Sequence, residues 1–150
     1  MFIAHLPAAY LLSRCHPGLT RVAPALLIGS VLPDVDMFWF AFVDSSTHHH
    51  HLITHRPAVW IAVLVCGLFW TAAMGLGLGA LLHLSFDSIA GQIAWGWPLT
   101  HHATPLVEVP ARYEWWVWSF LTHWTFALEI VICLAAAWVC RRHTLREAGP

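Results

Sequence analysis

The sequence predicts an all-α integral membrane protein: a bundle of about four transmembrane helices plus a short N-terminal helix, in one domain over residues 1–150. Three observations carry that prediction. Of the 150 residues, 59% are hydrophobic and only 10% are Asp, Glu, Lys or Arg, where soluble domains carry about a quarter. No Asp, Glu, Lys or Arg occurs between Arg56 and Asp87, and Glu129 is the sole one between Trp115 and Val139. Each run is long enough to cross a hydrocarbon core of about 30 Å, which takes about 20 helical residues.

Taken in order, residues 3–13 read as a short apolar helix, too short to span, with His5 on the face of Ala8, Ala9 and Leu12. No basic residue precedes this run and no small-residue cleavage site follows it, so it is not expected to be a signal peptide. Pro17-Gly18 punctuates the pattern with a turn. Residues 21–43 are again long enough to cross, but Leu32-Pro33-Asp34-Val35-Asp36 lies in their middle. Pro33 removes a helical hydrogen bond and predicts a break there, which a membrane tolerates where the freed backbone lines a polar cavity. Residues 44–56 form a polar loop with five of the twelve histidines. The next 37 residues, 57–93, would make about 55 Å of continuous helix. Gly75-Leu-Gly-Leu-Gly79 is the expected break, giving helices over about 57–74 and 77–93. A loop over 95–114 holds three prolines and His101-His102, and a last helix over about 115–140 ends in Arg141-Arg142.

Basic residues favour the cytoplasmic side. With the C-terminus inside, Arg14, Arg21, Arg141, Arg142 and Arg146 are cytoplasmic and only Arg56 and Arg112 fall outside. The His-rich loop and the Trp-rich stretch around 95–118 then sit at the outer interface. A formal net charge of −1 gives no sign of nucleic-acid binding. The four cysteines have no knuckle or framework spacing.

The chemistry lies in polar groups at membrane depth: His5, Asp34, Asp36, His83, Asp87, His123 and Glu129. An Asp at a helix centre costs about 2.5–3.5 kcal/mol to insert, so three would cost roughly 8–10 kcal/mol without compensation. A divalent cation compensates, because carboxylate and neutral imidazole are both its natural ligands. His83 and Asp87 are one helical turn apart on one face, with Gly79 and Ala80 close to the same stripe. A single membrane histidine commonly just bonds a neighbouring helix; the set of His83 with Asp87, Asp34 with Asp36, and the loop histidines points to Zn²⁺, with Mn²⁺ or Fe²⁺ possible. His123 and Glu129 are six apart and face different ways, so at most one is expected in the site. The run His48 to His51 suits a metal-collecting loop in which one or two members are ligands. His16, His101, His102 and His143 have no patterned partner.

Leu32-Pro-Asp34-Val-Asp36, then His50-His51-Leu-Ile-Thr-His55, then His83-Leu-Ser-Phe-Asp87 followed by Trp97-Pro98, with the early His5, resembles the YdjM-type family of inner-membrane metal-dependent hydrolases. That family's pattern runs from an early His through LPDxD and HRxxTHS to HxxxD with a later Trp-Pro, and the likeness covers residues 5–98. His51 stands where the family usually has Arg, and Arg56 where it usually has Ser. The resemblance implies a helical membrane protein distantly similar to zinc-dependent phospholipase C, and it singles out His50 and His55 among the loop histidines.

The resulting expectation is a hydrolase of the bacterial inner membrane acting through metal-activated water on an ester or phosphoester of a lipid or lipid-linked molecule. Its ligand pool is His5, Asp34, Asp36, His50, His55, His83 and Asp87, which implies two metals or some members acting from behind the ligands. Asp34 is expected to orient or deprotonate the water, and Arg56 to meet an anionic substrate. The alternative is a divalent-metal transporter or sensor, against which about four spans leave little material for alternating access. Haem binding would leave the aspartates unexplained.

Overall fold

A computed structural model describes residues 3–43 and 49–147, the side chains of His49 and Glu147 excepted. Asp44 to His48 of the polar loop therefore lie outside the described residues. Every regular element among the described residues is helical: α1 (His5–Arg14), α2 (Pro17–Arg21), α3 (Ala23–Gly29), α4 (Asp36–Phe42), α5 (Pro57–Cys66), α6 (Thr71–Ala90), α7 (Trp116–Leu121) and α8 (Trp124–Glu147). Three 3₁₀ turns, Leu32–Val35, His49–His51 and Ile53–His55, connect α3 to α4 and α4 to α5.

The architecture is built round α6. Its glycines let neighbours approach to backbone distance: a Cβ on Gly77 would lie 2.8 Å from Leu64 Cα of α5, and one on Gly75 would lie 2.7 Å from Ala25 Cβ of α3. One on Gly79 would strike the Leu26 carbonyl and the Ser30 amide. Gly75 and Gly79, four apart, therefore seat α3, and Gly77 seats α5. The expected break at residues 75–79 is thus corrected. The chain turns at residues 67–70, where a Cβ on Gly67 would come 2.6 Å from Met74 Cα, and the glycine triplet stays helical because close packing offsets its poor helix propensity.

Among the described residues two helices, α6 and α8, are long and apolar enough to cross a membrane. A third crossing results if α3 and Leu32–Phe42, bent by 46° at their junction, count as one broken span. The break falls at Ser30-Val31, just ahead of the turn Leu32–Val35 that contains Pro33, close to where the sequence predicts it. The apolar α5 has 10 residues, fewer than a crossing needs. The last helix also differs from expectation: α7 and α8 are separated at Thr122-His123, and α8 continues to Glu147. Half of the most apolar window of α6 is buried against 17% for α8, so α6 is the interior helix and α8 presents most of its surface outward.

The chain after α6 folds back on it. Leu106 and Val107 donate backbone hydrogen bonds to the Ser88 and Ile89 carbonyls, at 2.8 and 2.7 Å, filling acceptors that any helix C-terminus leaves open. Trp60, Ala80, Leu84 and Ile93 pack together beneath this end of α6.

Candidate metal centre

Each functional side chain is delivered by a local feature of the sequence. On α6, His83 and Asp87 share the buried face with Gly79, Ala80 and Leu84, and His83 Nε2 lies 2.9 Å from Asp87 Oδ2. Because Gly79 brings α3 close, the carbonyl of Ser30, at the C-terminal cap of α3, accepts the His83 Nδ1 hydrogen at 2.9 Å. The 3₁₀ turn begun by Leu32-Pro33 carries Asp34 and hands on to Asp36 at the start of α4. His55 ends the turn Ile53–His55, which is pinned by Trp60 Nε1 donating to the Thr54 carbonyl at 2.6 Å.

Asp34, His55, His83 and Asp87 each offer one ligand atom, and these atoms all lie within 4.8 Å of one another. His83 Nε2 is 3.5 Å from Asp34 Oδ1, and His55 Nε2 is 3.5 Å from Asp87 Oδ2 and 3.8 Å from Asp34 Oδ1. Four ligands about 2.1 Å from a tetrahedral centre are about 3.4 Å apart, so the side chains need shift only slightly to hold one ion. The proton inventory points the same way. A carbonyl can only accept, so His83 carries its hydrogen on Nδ1, and its buried Nε2, which makes no hydrogen bond among the described residues, faces the carboxylate oxygens with a lone pair. His55 likewise donates from Nδ1 to Asp36 Oδ2 at 2.7 Å. Two imidazole nitrogens and two carboxylate oxygens converge, and a cation is the species such a set accepts.

The other predicted ligands stand immediately behind these four. Asp36, buried, accepts from both His55 Nδ1 and the Thr54 hydroxyl, the arrangement in which a carboxylate fixes the tautomer of a metal-binding histidine. Burial opposes the charged form of His55, but the Asp36 and Asp87 carboxylates beside it outweigh that and hold its pKa above the ordinary histidine value. His5 Nε2 meets Asp87 Oδ1 at 3.1 Å, and its ring stacks on His83 with centroids 4.0 Å apart. His50 Nε2 is 3.8 Å from Asp87 Oδ2, with its ring over Gly91. All seven members of the predicted pool are therefore brought together, four at the centre and three around it.

Other residues lie elsewhere. His51, His101 and His102 are exposed, His16 accepts from the Gly18 amide at the start of α2, and His123 pairs with Thr125. Arg56 donates to the His51 carbonyl at 2.6 Å. Glu129 is buried against the start of α1. The supporting partners Ser30, Thr54 and Trp60 were not expected from the sequence: Ser30 and Thr54 act here through backbone carbonyls, which no residue pattern marks. Only the hydroxyl of Thr54, next to His55, offered a signal.

Among the described residues, fold and site together define an all-helical protein with two to three candidate membrane-spanning helices and a buried Asp/His group able to hold a metal ion. No protein-family model matches the chain, and no curated protein and no solved structure is detectably similar to it.

Proposed function

We propose that this protein is a membrane-embedded metal-dependent hydrolase of the YdjM type, acting on an ester or phosphoester in a lipid or lipid-linked substrate. The observation that carries the reading is the convergence of Asp34, His55, His83 and Asp87, with both imidazoles oriented from behind by acceptors at Nδ1. This is a small mixed N/O set, which suits Zn²⁺ first and Mn²⁺ or Fe²⁺ next. When bound, such an ion acidifies a water and polarises the scissile group.

The chain's own residues supply the rest. Asp34 has a 38% exposed side chain, whereas those of His55, His83 and Asp87 are nearly or fully buried. Substrate therefore approaches on the Asp34 side, where Asp34, the one exposed member of the four, would give up its place to a water and its carboxylate would take that water's proton. Asp87 is held by His5, and His55 by Asp36, so neither can swing away as charge develops. Immediately after Asp36, α4 exposes Phe38, Trp39 and Phe42, an apolar surface suited to acyl chains beside the opening. His83 lies seven residues from the end of α6, about 10 Å along the axis, which favours a site near one membrane interface. We assign that interface to the outer face of the bacterial inner membrane from the arginine distribution. The fourth crossing would be formed by α5 with the turn that follows it.

Metal analysis of the detergent-purified chain, followed by a screen of phosphoester and carboxylester substrates, tests this. Retained divalent metal, lost in His83→Ala and Asp87→Ala, with metal-dependent turnover is the expected result. A parent protein without metal would overturn it, and Zn²⁺ or Mn²⁺ flux into liposomes without hydrolysis would replace it with a transporter.

A further inference from the structure

Glu129 takes no part in the centre just described, yet its residue is 0% exposed within α8. A buried carboxylate is costly unless its oxygens accept hydrogen bonds. Glu129 Oε2 accepts from the backbone N–H of Ile3 at 2.7 Å and of Ala4 at 3.1 Å. Ala4 is the N-cap of α1, and its own methyl side chain cannot cap the helix. The first amides of any helix lack intrahelical partners, and a carboxylate is favoured at that positive end. Here the carboxylate comes from α8, at the other end of the chain. Cys133, one turn further on α8, adds a weak Sγ contact to the Ile3 carbonyl at 3.8 Å.

The residue after this pair is His5, whose Nε2 bonds Asp87 Oδ1 and whose ring lies on His83. The remaining buried residues of α1 are Ala8, Ala9 and Ser13. Such small side chains allow close approach but present a smooth surface that sets distance better than register. A directional anchor is needed to stop α1 sliding, and Glu129 stands next to the residue whose position matters.

We propose that Glu129 is a positioning residue for the metal centre: by bonding the Ile3 and Ala4 amides it fixes the start of α1 so that His5 meets Asp87 and covers His83. Its effect on the ion rests on the metal reading above, and its effect on His5 does not. The test uses the full-length chain in detergent as Glu129→Ala, Glu129→Gln, His5→Ala and the Glu129→Ala/His5→Ala double variant. Two quantities are read: Zn²⁺ affinity by chelator competition, and the ¹⁵N resonance of the His5 ring. Glu129→Ala should weaken Zn²⁺ about tenfold, the lower end of what losing an outer partner costs, and shift His5 Nε2 towards a solvent-like position. Glu129→Gln, which keeps an accepting oxygen, should stay close to the parent on both. In the His5→Ala background Glu129→Ala should cause no further loss, because coupled residues are not additive. Unchanged affinity and resonance in Glu129→Ala, additive losses, or a Gln variant as damaged as Ala would each overturn the proposal. A parent chain that takes up no Zn²⁺ would sink the metal reading instead, and the His5 resonance alone would then decide the role of Glu129.

Discussion

Asp36→Ala separates a ligand from a support. Asp36 is buried, and its Oδ2 accepts from His55 Nδ1 at 2.7 Å and from the Thr54 hydroxyl, so the substitution strands two donors beneath the site. The stranded donor of the buried His55 costs about 1–3 kcal/mol, the half-buried Thr54 hydroxyl less, and the melting temperature of the protein falls. Metal affinity should fall by a different route, because His55 loses the partner that orients its ring. Loss of such a partner typically costs 10- to 100-fold, or about 1.4–2.7 kcal/mol. Competition between the detergent-purified variant and a chelator of known Zn²⁺ affinity measures it. The ion should still bind to Asp36→Ala, weakened within that range, whereas Asp87→Ala and His83→Ala should lose it altogether. Asp36→Ala losing the ion as completely as His83→Ala would make Asp36 a ligand and refute the four-residue centre. An unchanged affinity would refute the supporting role.

Two further substitutions probe how the fold holds the site. Gly79→Ala places a methyl against the Leu26 carbonyl and the Ser30 amide, so it should cost about 1–3 kcal/mol by overpacking and weaken metal binding by moving the carbonyl that holds His83. Gly96→Ala, whose methyl presses on the movable side-chain methyl of Thr100, should leave binding intact, and thermal unfolding beside Zn²⁺ titration checks both. Trp60→Phe keeps the aromatic bulk but removes the indole donor to the Thr54 carbonyl; a loss of about 1 kcal/mol is expected, with weaker metal binding because the turn carrying His55 is released. Trp60→Phe melting like the parent would show that packing alone holds that turn.

How much of this was legible in the sequence depended on how local each feature is. His83 and Asp87 could be paired because four residues on a helix is one turn, a geometry fixed before any folding. Pro33 marked the break between α3 and α4 because a missing amide is a property of the residue itself. Gly75, Gly77 and Gly79 were ambiguous: three glycines in five residues read as a weak helix, and only the backbones of α3 and α5 lying against them make them the best residues for α6. Their spacing held the clue, since Gly75 and Gly79 are a helical turn apart and Gly77 faces elsewhere. Thr122-His123 separates α7 from α8 without Gly or Pro, so nothing announced it. Glu129 could be recognised as out of place in an apolar helix, but its partners are backbone amides at the other end of the chain.

The charge at the centre predicts which part of the fold depends on the ion. Asp34, Asp36 and Asp87 together present up to three negative charges in surroundings of low dielectric, where like charges repel strongly. A bound divalent cation would offset Asp34 and Asp87, leaving Asp36 to the donors of His55 and Thr54. The helix backbone of α6 needs no ion, since its hydrogen bonds are internal and its glycines are packed against α3 and α5. The turn Ile53–His55 has far less: the His55 and Arg56 amides each make one bond, of 3.1 Å, to Leu52 and Ile53, and otherwise the turn is tied down through His55, Thr54 and Trp60. Chelation should therefore speed hydrogen exchange at the His55 and Arg56 amides while Leu84 to Ser88 stay protected, since local openings follow local contacts. Equal acceleration in α6 and in the turn would mean that the ion supports the whole bundle. No acceleration at His55 would mean that no ion had been bound to it.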